Sequence, residues 1–358
     1  MESLPSHNTK RKVYLDALRI LAILGVLFNH TNTRGFAIFT IATDSPLFPF
    51  YLFCAVACKV SVPIFLMITG ALLLKKEEPI SVVLKKRFSK FLIILLFSAL
   101  IIYLYFLNWD FSKFSLSSFL KQVYSTNITT SLWYLYAFLA YILMLPFLRK
   151  MAQRMTATDY AYLTGLMVLI SSLRCFELLF FDYEVHYHSD FNLFSTMDIV
   201  YYPLMGDFLA NKLNDDKITL KMTLLSCAVG LIFIIVNCWL TCIWCEHLGE
   251  WEYKTCQNFL HRYIFFPAIA LFIAMRYIFI KVQLGELAKK CITYLGSCTF
   301  GIYLFERIYR EETLFIFNSL SLYIPRFAAC LIWIISAFCL GLAVTAFAKK
   351  IPLLRKFL

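Results

Sequence analysis

The first apolar segment of the chain, residues 13–31, contains two charged side chains and a histidine at spacings that suit chemistry. Asp16 and Arg19 are three residues apart, so in a helix they lie on one face and can form an ion pair. His30 follows Arg19 by eleven residues, which is three helical turns plus about 20°, so both side chains point the same way, about 16 Å apart along the axis. An imidazole that accepts a proton and a guanidinium that holds an anion could thus act on one bound molecule.

A structural role explains the same spacing. An arginine near the inner end of a membrane helix can extend its guanidinium to the lipid headgroups, and a histidine at the outer end can lie at the interface. Ionisable groups inside a bilayer cost several kcal/mol unless they are paired or hydrated. For that reason we look for function first at Arg19 and His30, although the spacing alone does not exclude the structural role.

The composition indicates that membrane helices position these residues. Of the 358 residues, 61% are hydrophobic and the mean hydropathy is +0.72, whereas a soluble domain is about 45–50% apolar. A soluble fold of this length has too little interior to bury so much apolar surface. In a bilayer this limit does not apply, because lipid solvates the outer face of every helix. The net charge of +12 does not indicate a nucleic-acid partner, because the basic residues recur in short clusters between apolar segments rather than on one stripe.

Hydropathy predicts an all-α, polytopic membrane protein of about ten transmembrane helices. A membrane helix needs about 20 mostly apolar residues, and no soluble domain fits between the segments that meet this requirement. We expect one integral-membrane domain over residues 1–358, with Pro63 kinking or tilting the long second span. The predicted spans are residues 13–31, 48–74, 91–107, 129–148, 159–180, 193–211, 222–244, 259–280, 292–308 and 323–347.

Five segments of the sequence, in order, resemble the motifs of the acyltransferase-3 family of integral membrane acyltransferases. In the first, Arg19 and His30 match an Arg and a His that the family separates by ten residues. The other four are similar to the family's second helix, its cytoplasmic Arg-x-x-Arg, its Trp-centred helix and its Gly-Ile-Tyr-Leu segment. They are residues 62–73, 86–90, 132–148 and 301–304. The resemblance therefore extends over nearly the whole chain.

This resemblance implies transfer of an acyl group, usually acetyl, from cytoplasmic acyl-CoA to a hydroxyl of an extracytoplasmic glycan or lipid-linked sugar. His30 would be the general base, and Arg19 would fix the donor or stabilise the oxyanion. CoA carries phosphates, so Lys86, Arg87 and Lys90 at the predicted inner face would bind it. We expect acetyl-CoA as co-substrate, no metal, direct transfer without an acyl-enzyme, and a bacterial cytoplasmic membrane.

Three positions differ from the family pattern. Ser131 stands where the family has a His before Leu-Trp, and Glu306 stands where it has a His two residues after Gly-Ile-Tyr-Leu. Lys90 replaces the second Arg of Arg-x-x-Arg, which keeps the charge but loses a bidentate fork. Glu306 either pairs with the neighbouring Arg307 or replaces the family's His as an acceptor-side base or hydrogen-bond partner.

Three residues are secondary candidates for the site. Asp16 would act through its pair with Arg19. Trp133 and Tyr303 could stack on a sugar or on adenine, although interfacial or packing roles explain them equally well.

Two predicted external loops contain residues that can form disulfides or bind metals. The sequence leaves open whether a disulfide links two of the three cysteines that flank one of these loops. The other loop contains a His-x-His among acidic residues, and we interpret it as a solvated loop rather than a metal site. The residues are Cys242, Cys245 and Cys256, which flank the first loop, and Asp182, Glu184, His186, His188 and Asp190 in the second.

Two other functions compete with an enzyme. The first is a transporter or flippase of the same general fold, and the second is a non-catalytic accessory protein of cell-surface polysaccharide synthesis. An enzyme needs both the Arg19/His30 stripe and a basic donor loop. A transporter instead needs a binding site near the bilayer midplane on broken helices.

The distribution of basic residues predicts that both termini are cytoplasmic. If the N-terminus is inside, 22 Lys and Arg residues fall in inside segments and 6 in outside segments, and such an excess marks the cytoplasmic side. Reporter proteins fused at Lys12 and at Leu358 should therefore both report a cytoplasmic location. A periplasmic signal from either fusion would contradict the predicted topology.

Overall fold

The computed structural model describes residues 12–126, 128–181, 184–186 and 197–356, and every regular element within these ranges is helical. The main helices are α1 Val13–Asn29, α2 Phe48–Cys58, α3 Ser61–Leu73, α4 Ser89–Phe106, α5 Leu116–Ser125, α6 Trp133–Arg154, α7 Ala157–Phe181, α8 Met197–Asp207, α9 Leu220–Leu248, α10 Tyr253–Leu260, α11 Phe265–Lys281, α12 Glu286–Leu304, α13 Glu306–Glu312, α14 Leu314–Leu320 and α15 Arg326–Ala348. Short helical turns join them, including π-helical segments at Val83–Phe88 before α4 and at Phe208–Lys212 after α8.

Within the described residues, six helical segments are long and apolar enough to cross a membrane. A bent pair, α10 and α11, which meet at 63°, brings the number to at most seven. The count of about ten remains a prediction, because α1, α8 and α12 do not meet the same criteria of length and composition. α1 and α8 carry the charged residues of the first and sixth predicted spans, whereas those of the ninth, Glu306 and Arg307, lie on α13. The six segments are Phe48–Leu73, Ile80–Phe106, Thr130–Arg154, Ala157–Phe181, Leu220–Leu248 and Arg326–Ala348.

Close helix contacts bring these more polar helices to the centre of the bundle. α3 packs on α8 through Gly70 and Gly206, where an added Cβ would lie 1.8 Å from the carbonyl oxygen of Pro203 and 1.9 Å from that of Met67, respectively. α1 packs on α12 at Gly296, where an added Cβ would lie 2.6 Å from the Cβ of Asp16. Small residues at such positions let two backbones approach closely, as in many membrane bundles.

The long second span is broken between α2 and α3. The helix stops at Cys58 and restarts at Ser61. Pro63 has no N–H to donate to the carbonyl of Lys59, so the hydrogen-bond ladder is interrupted there. The amide of Asn29, at the end of α1, donates to the carbonyl oxygen of Cys58, the last residue of α2, at 3.1 Å and fixes the break against α1.

Several basic side chains cap the ends of helices. Arg149 donates to the carbonyl oxygen of Leu73 at the end of α3 (3.0 Å), and Lys212 donates to that of Met155 just after α6 (2.9 Å). Cations at helix C-termini satisfy carbonyls that lack an intrahelical partner and complement the helix dipole. The excess of basic residues in the predicted inside loops therefore has a structural use in addition to its effect on topology.

The cysteines of the first loop carry free thiols in this structure. Cys245 and Cys256 are buried against each other's helices, α9 and α10, and Cys242 is partly buried. In the second loop, Asp182, His188 and Asp190 lie outside the described residues. Among the residues that are described, no group of three or more His, Cys, Asp or Glu side chains could hold a metal ion.

Candidate active site

Arg19 and His30 line one cavity, as their common helical stripe predicts. The cavity has a volume of about 840 Å³ and runs between α1, α3, α6 and α12. Arg87 and Lys90 line it at the end where α3 finishes and α4 begins, and Lys59 lines it at the break between α2 and α3. The cavity therefore has cations at both ends and His30 towards the second end.

His30 contacts a buried carboxylate. Its Nδ1 lies 3.0 Å from Oε1 of Glu306, whose side chain is only 1% exposed. The helix α12 ends at Leu304 and α13 begins at Glu306, so the break at Phe305 turns this carboxylate towards α1. The ninth predicted span, residues 292–308, therefore runs past the end of α12 and into α13.

Of the two alternatives for Glu306, the pairing with Arg307 is wrong. Arg307 instead pairs with Glu311 at 2.9 Å. Arg310, one turn beyond Glu306 in α13, donates from Nε to Oε2 of Glu306 at 2.6 Å. Residues at i and i+4 face the same side of a helix, whereas residues at i and i+1 do not. Glu306 therefore pairs with Arg310 rather than with Arg307.

Four elements converge on the Glu306 carboxylate and its partners. Ser131, just before α6, donates its hydroxyl to Oε1 of Glu306. Arg310 donates from a second nitrogen to the backbone oxygen of His30 at 2.7 Å, so it holds both the histidine and the carboxylate that faces it. Trp333 of α15 donates to the backbone oxygen of Arg310 at 3.0 Å. We call Ser131, Glu306 and Arg310 the Glu306 network.

The network determines which nitrogen of His30 can accept a proton. An ionised carboxylate attracts a proton to the nearer ring nitrogen, so the contact at 3.0 Å favours the tautomer of His30 with its hydrogen on Nδ1. Nε2 is then the lone-pair nitrogen, and the side chain of His30, 25% exposed, faces the cavity. A histidine oriented by a carboxylate can remove a proton from a bound hydroxyl, and the carboxylate stabilises the imidazolium that forms.

The expected pair of Asp16 and Arg19 is confirmed. Nη1 of Arg19 lies 2.6 Å from Oδ1 of Asp16, which is 1% exposed, whereas the Arg19 side chain is 24% exposed and borders the cavity. Asp16 lies one turn of α1 farther from His30 than Arg19 does. The pair therefore draws the guanidinium away from His30 and towards the end of the cavity that Arg87 and Lys90 line.

At that end, Arg87 is held by an acidic residue that the sequence did not single out. Glu78 accepts from Nε and Nη2 of Arg87 at 2.7 and 2.5 Å, and from Arg149 at 2.9 Å. The hydrogen bonds from Arg87 lower the pKa of Glu78, which lies in the loop after α3, to about 2. Glu78 is therefore ionised at neutral pH and offsets one of the two arginine charges.

The other basic candidates differ in position. Lys90 borders the cavity, and no carboxylate of the described residues lies within ion-pair distance of it. Lys86 is exposed and is not among the residues that line the cavity. A ligand anion in the cavity would therefore meet Lys90 and the outer face of Arg87 first.

The two aromatic candidates also line the cavity. Trp133 is 45% exposed and stands edge-on to Tyr134. Tyr303 is 8% exposed, and its hydroxyl donates to the backbone oxygen of Ser131 at 2.7 Å. Tyr303 therefore positions the serine of the Glu306 network, while the ring of Trp133 is available to a ligand.

Comparisons with known proteins give one match. No curated protein and no solved structure matches the chain. The family model described as an acyltransferase domain matches residues 12–349, which is nearly the whole chain and includes every candidate residue discussed above. The chain therefore belongs to the acyltransferase-3 family.

Proposed function

We propose that the protein is a membrane-bound O-acyltransferase of the bacterial cytoplasmic membrane. It transfers an acyl group, acetyl by the family's default, from cytoplasmic acyl-CoA to a hydroxyl of an extracytoplasmic glycan or lipid-linked sugar. The observation that carries this proposal is the contact of His30 with the buried carboxylate of Glu306, on a cavity that also reaches a cluster of cations. Acyl transfer to a hydroxyl needs a base at the acceptor and cations for the donor.

The residues have distinct roles in the reaction. Nε2 of His30 removes the proton of the acceptor hydroxyl as its oxygen attacks the thioester carbonyl carbon. The tetrahedral intermediate expels the CoA thiolate, the C–S bond breaks, and the imidazolium returns the proton to the sulfur. Glu306 stabilises the imidazolium while it exists, and Arg310 and Ser131 keep the carboxylate in place.

Arg19 acts on the donor rather than on the reacting carbonyl. It lies eleven residues from His30, about 16 Å along α1, and its guanidinium is directed away from His30 by Asp16. Lys90 and Arg87 bind the phosphates of CoA, and the acyl-carrying arm extends along the cavity past Arg19 to His30. In this arrangement the donor enters from the cytoplasmic side, as the predicted topology with cytoplasmic termini requires.

One observation favours a second function, a transporter or flippase. The break between α2 and α3 lies on the cavity, and transporters place their sites on such broken helices. A transporter could use a histidine beside a carboxylate as a proton relay, but the match to the acyltransferase family over residues 12–349 favours the enzyme. A non-catalytic accessory protein of polysaccharide synthesis would need neither the helix break nor the contact between His30 and Glu306.

Removing the two cations at the donor end should weaken acyl-CoA binding. Arg87→Gln with Lys90→Gln should raise the Kd for acetyl-CoA at least about tenfold, since each charge-assisted hydrogen bond contributes about 1.5–3 kcal/mol. Each single change should do less, because the cations share one phosphate group. Binding would be measured by calorimetry on detergent-purified protein.

The matched control for this double variant is Lys150→Gln with Arg154→Gln. It removes the same charge from exposed positions near the same end of α6 and should leave the Kd unchanged. If the Arg87 and Lys90 variant binds acetyl-CoA as the wild type does, the donor site lies elsewhere.

Removing the base should abolish transfer without unfolding the protein. His30→Ala should lower acetyl transfer to membrane glycans by about 10²–10⁴-fold, the usual contribution of a positioned proton acceptor, and leave acetyl-CoA binding intact. Arg19→Lys should also lower acetyl transfer strongly, because one ammonium cannot reproduce the guanidinium fork. The assay follows radiolabelled acetyl groups into membrane glycans, alongside size-exclusion profiles of each variant.

His247→Ala is the control, since His247 is exposed near the end of α9 and does not line the cavity. Its turnover should equal that of the wild type. Near-wild-type turnover in His30→Ala would contradict the proposed mechanism and favour a transporter.

A further inference from the structure

Lys59 is a charged side chain on the cavity to which the reaction above gives no role. It occupies the break between α2 and α3, at the opposite end of the cavity from Arg87 and Lys90. The basic residues of the donor end lie in predicted cytoplasmic loops, but Lys59 lies within a predicted span. A charge in this position is costly unless something compensates it, so its presence calls for a function.

The contacts of Lys59 compensate its charge only in part. Its Nζ donates to the hydroxyl of Tyr253 at 3.1 Å, and lies 4.5 Å from the ring centre of Phe36 and 5.3 Å from that of Tyr253. Aromatic faces attract a cation but do not neutralise it. No carboxylate within the described ranges lies at ion-pair distance from Lys59. An ammonium has three N–H donors, so two remain for a ligand in the cavity.

Lys59 is held at the same level of the cavity as His30. The amide of Asn29, the residue before His30, donates to the backbone oxygen of Cys58, the residue before Lys59, at 3.1 Å. His30 and Lys59 are thus the next residues in the chain after the two that this hydrogen bond joins, which holds them at the same level. Phe36 and Tyr253, which stand edge-on at 5.5 Å, limit where the ammonium can go.

We propose that Lys59 and Tyr253 form a subsite for an anionic group of the acceptor, a sugar carboxylate or a phosphate linked to the sugar. The inference rests on the proposed function only in that the acceptor hydroxyl is taken to lie at His30. An anion beside Lys59 supplies the missing countercharge and fixes the sugar by a charge-assisted hydrogen bond. A neutral sugar would leave the ammonium without a countercharge, so the subsite selects for acidic acceptors.

One acidic residue, Asp198 of α8, also lines the cavity. It forms no ion pair with Lys59, so it does not occupy the subsite. Its charge opposes that of an anionic ligand, and Asp198→Asn should leave the preference for anionic sugars intact or increase it.

The test compares the binding of three soluble sugars that differ in charge. Glucose, glucuronate and glucose 1-phosphate would be titrated against the full chain in nanodiscs of phosphatidylcholine, with binding measured by saturation-transfer NMR. For the wild type, at least one anionic sugar should bind about tenfold or more tightly than glucose. A preference for glucuronate would identify a carboxylate as the anion, and a preference for glucose 1-phosphate would identify a sugar phosphate.

Variants assign this preference to Lys59. Lys59→Met and Lys59→Gln should remove it, and Lys59→Arg should retain it. Lys254→Met is the matched control, because Lys254 is exposed beside Tyr253 on α10 and its loss changes the net charge equally. Equal binding of the three sugars by the wild type, including no detectable binding, would overturn the proposal. So would an unchanged preference in either Lys59→Met or Lys59→Gln.

The test is independent of catalysis. His30→Ala should retain the preference for anionic sugars while it loses transfer. A wild type that prefers anionic sugars but never transfers acyl groups would contradict the proposed function and leave the subsite standing. A wild type that transfers acyl groups without any preference would contradict the subsite alone.

Discussion

The carboxylate of Glu306 imposes the strictest requirement on this bundle. It is 1% exposed in a chain of membrane helices, and withdrawing one carboxylate from water costs on the order of several kcal/mol. Both of its oxygens must therefore be paired. Oε2 accepts from Nε of Arg310, and Oε1 accepts from Ser131 and lies 3.0 Å from Nδ1 of His30. Removing any one of these partners leaves a buried charge less well satisfied, so α1, the start of α6 and α13 have to meet at this point.

The rest of the site follows from this meeting point. The break after Leu304 directs Glu306 inward, and Trp333 of α15 donates a hydrogen bond to the backbone oxygen of Arg310. Because Arg310 also bonds the backbone of His30, the end of α1 is fixed relative to the carboxylate. A base positioned in this way needs little rearrangement when a hydroxyl arrives, and such preorganisation is a major source of catalytic power. The same α1 terminus, through Asn29, fixes the helix break that carries Lys59.

Local patterns in the sequence predicted the parts of the site that lie on one helix. The Asp16–Arg19 pair and the common direction of Arg19 and His30 follow from helical geometry, and the helical class follows from hydropathy. The Glu306 network joins Ser131 to Glu306, 175 positions later in the chain, and no periodicity encodes such a contact. The i,i+4 spacing of Glu306 and Arg310 was the available signal, but both fell at the edge of a predicted span. Glu78 gave no signal, since its role depends on tertiary neighbours. Lys59 gave one, because it is a charge inside the second predicted span, but its partner Tyr253 lies far away in the sequence.

The negative charge of Glu306 makes His30 a base in the proposed mechanism. The most direct measurement is the acetyl-transfer rate of Glu306→Gln, which keeps the size of the side chain and removes its charge. Glu311→Gln, on the same helix and outside the Glu306 network, is the matched control. We expect at least about a 100-fold loss of acetyl transfer in Glu306→Gln, with acetyl-CoA binding retained, and no loss in Glu311→Gln. A folded Glu306→Gln protein that transfers acetyl groups within a few-fold of the wild-type rate would contradict this mechanism.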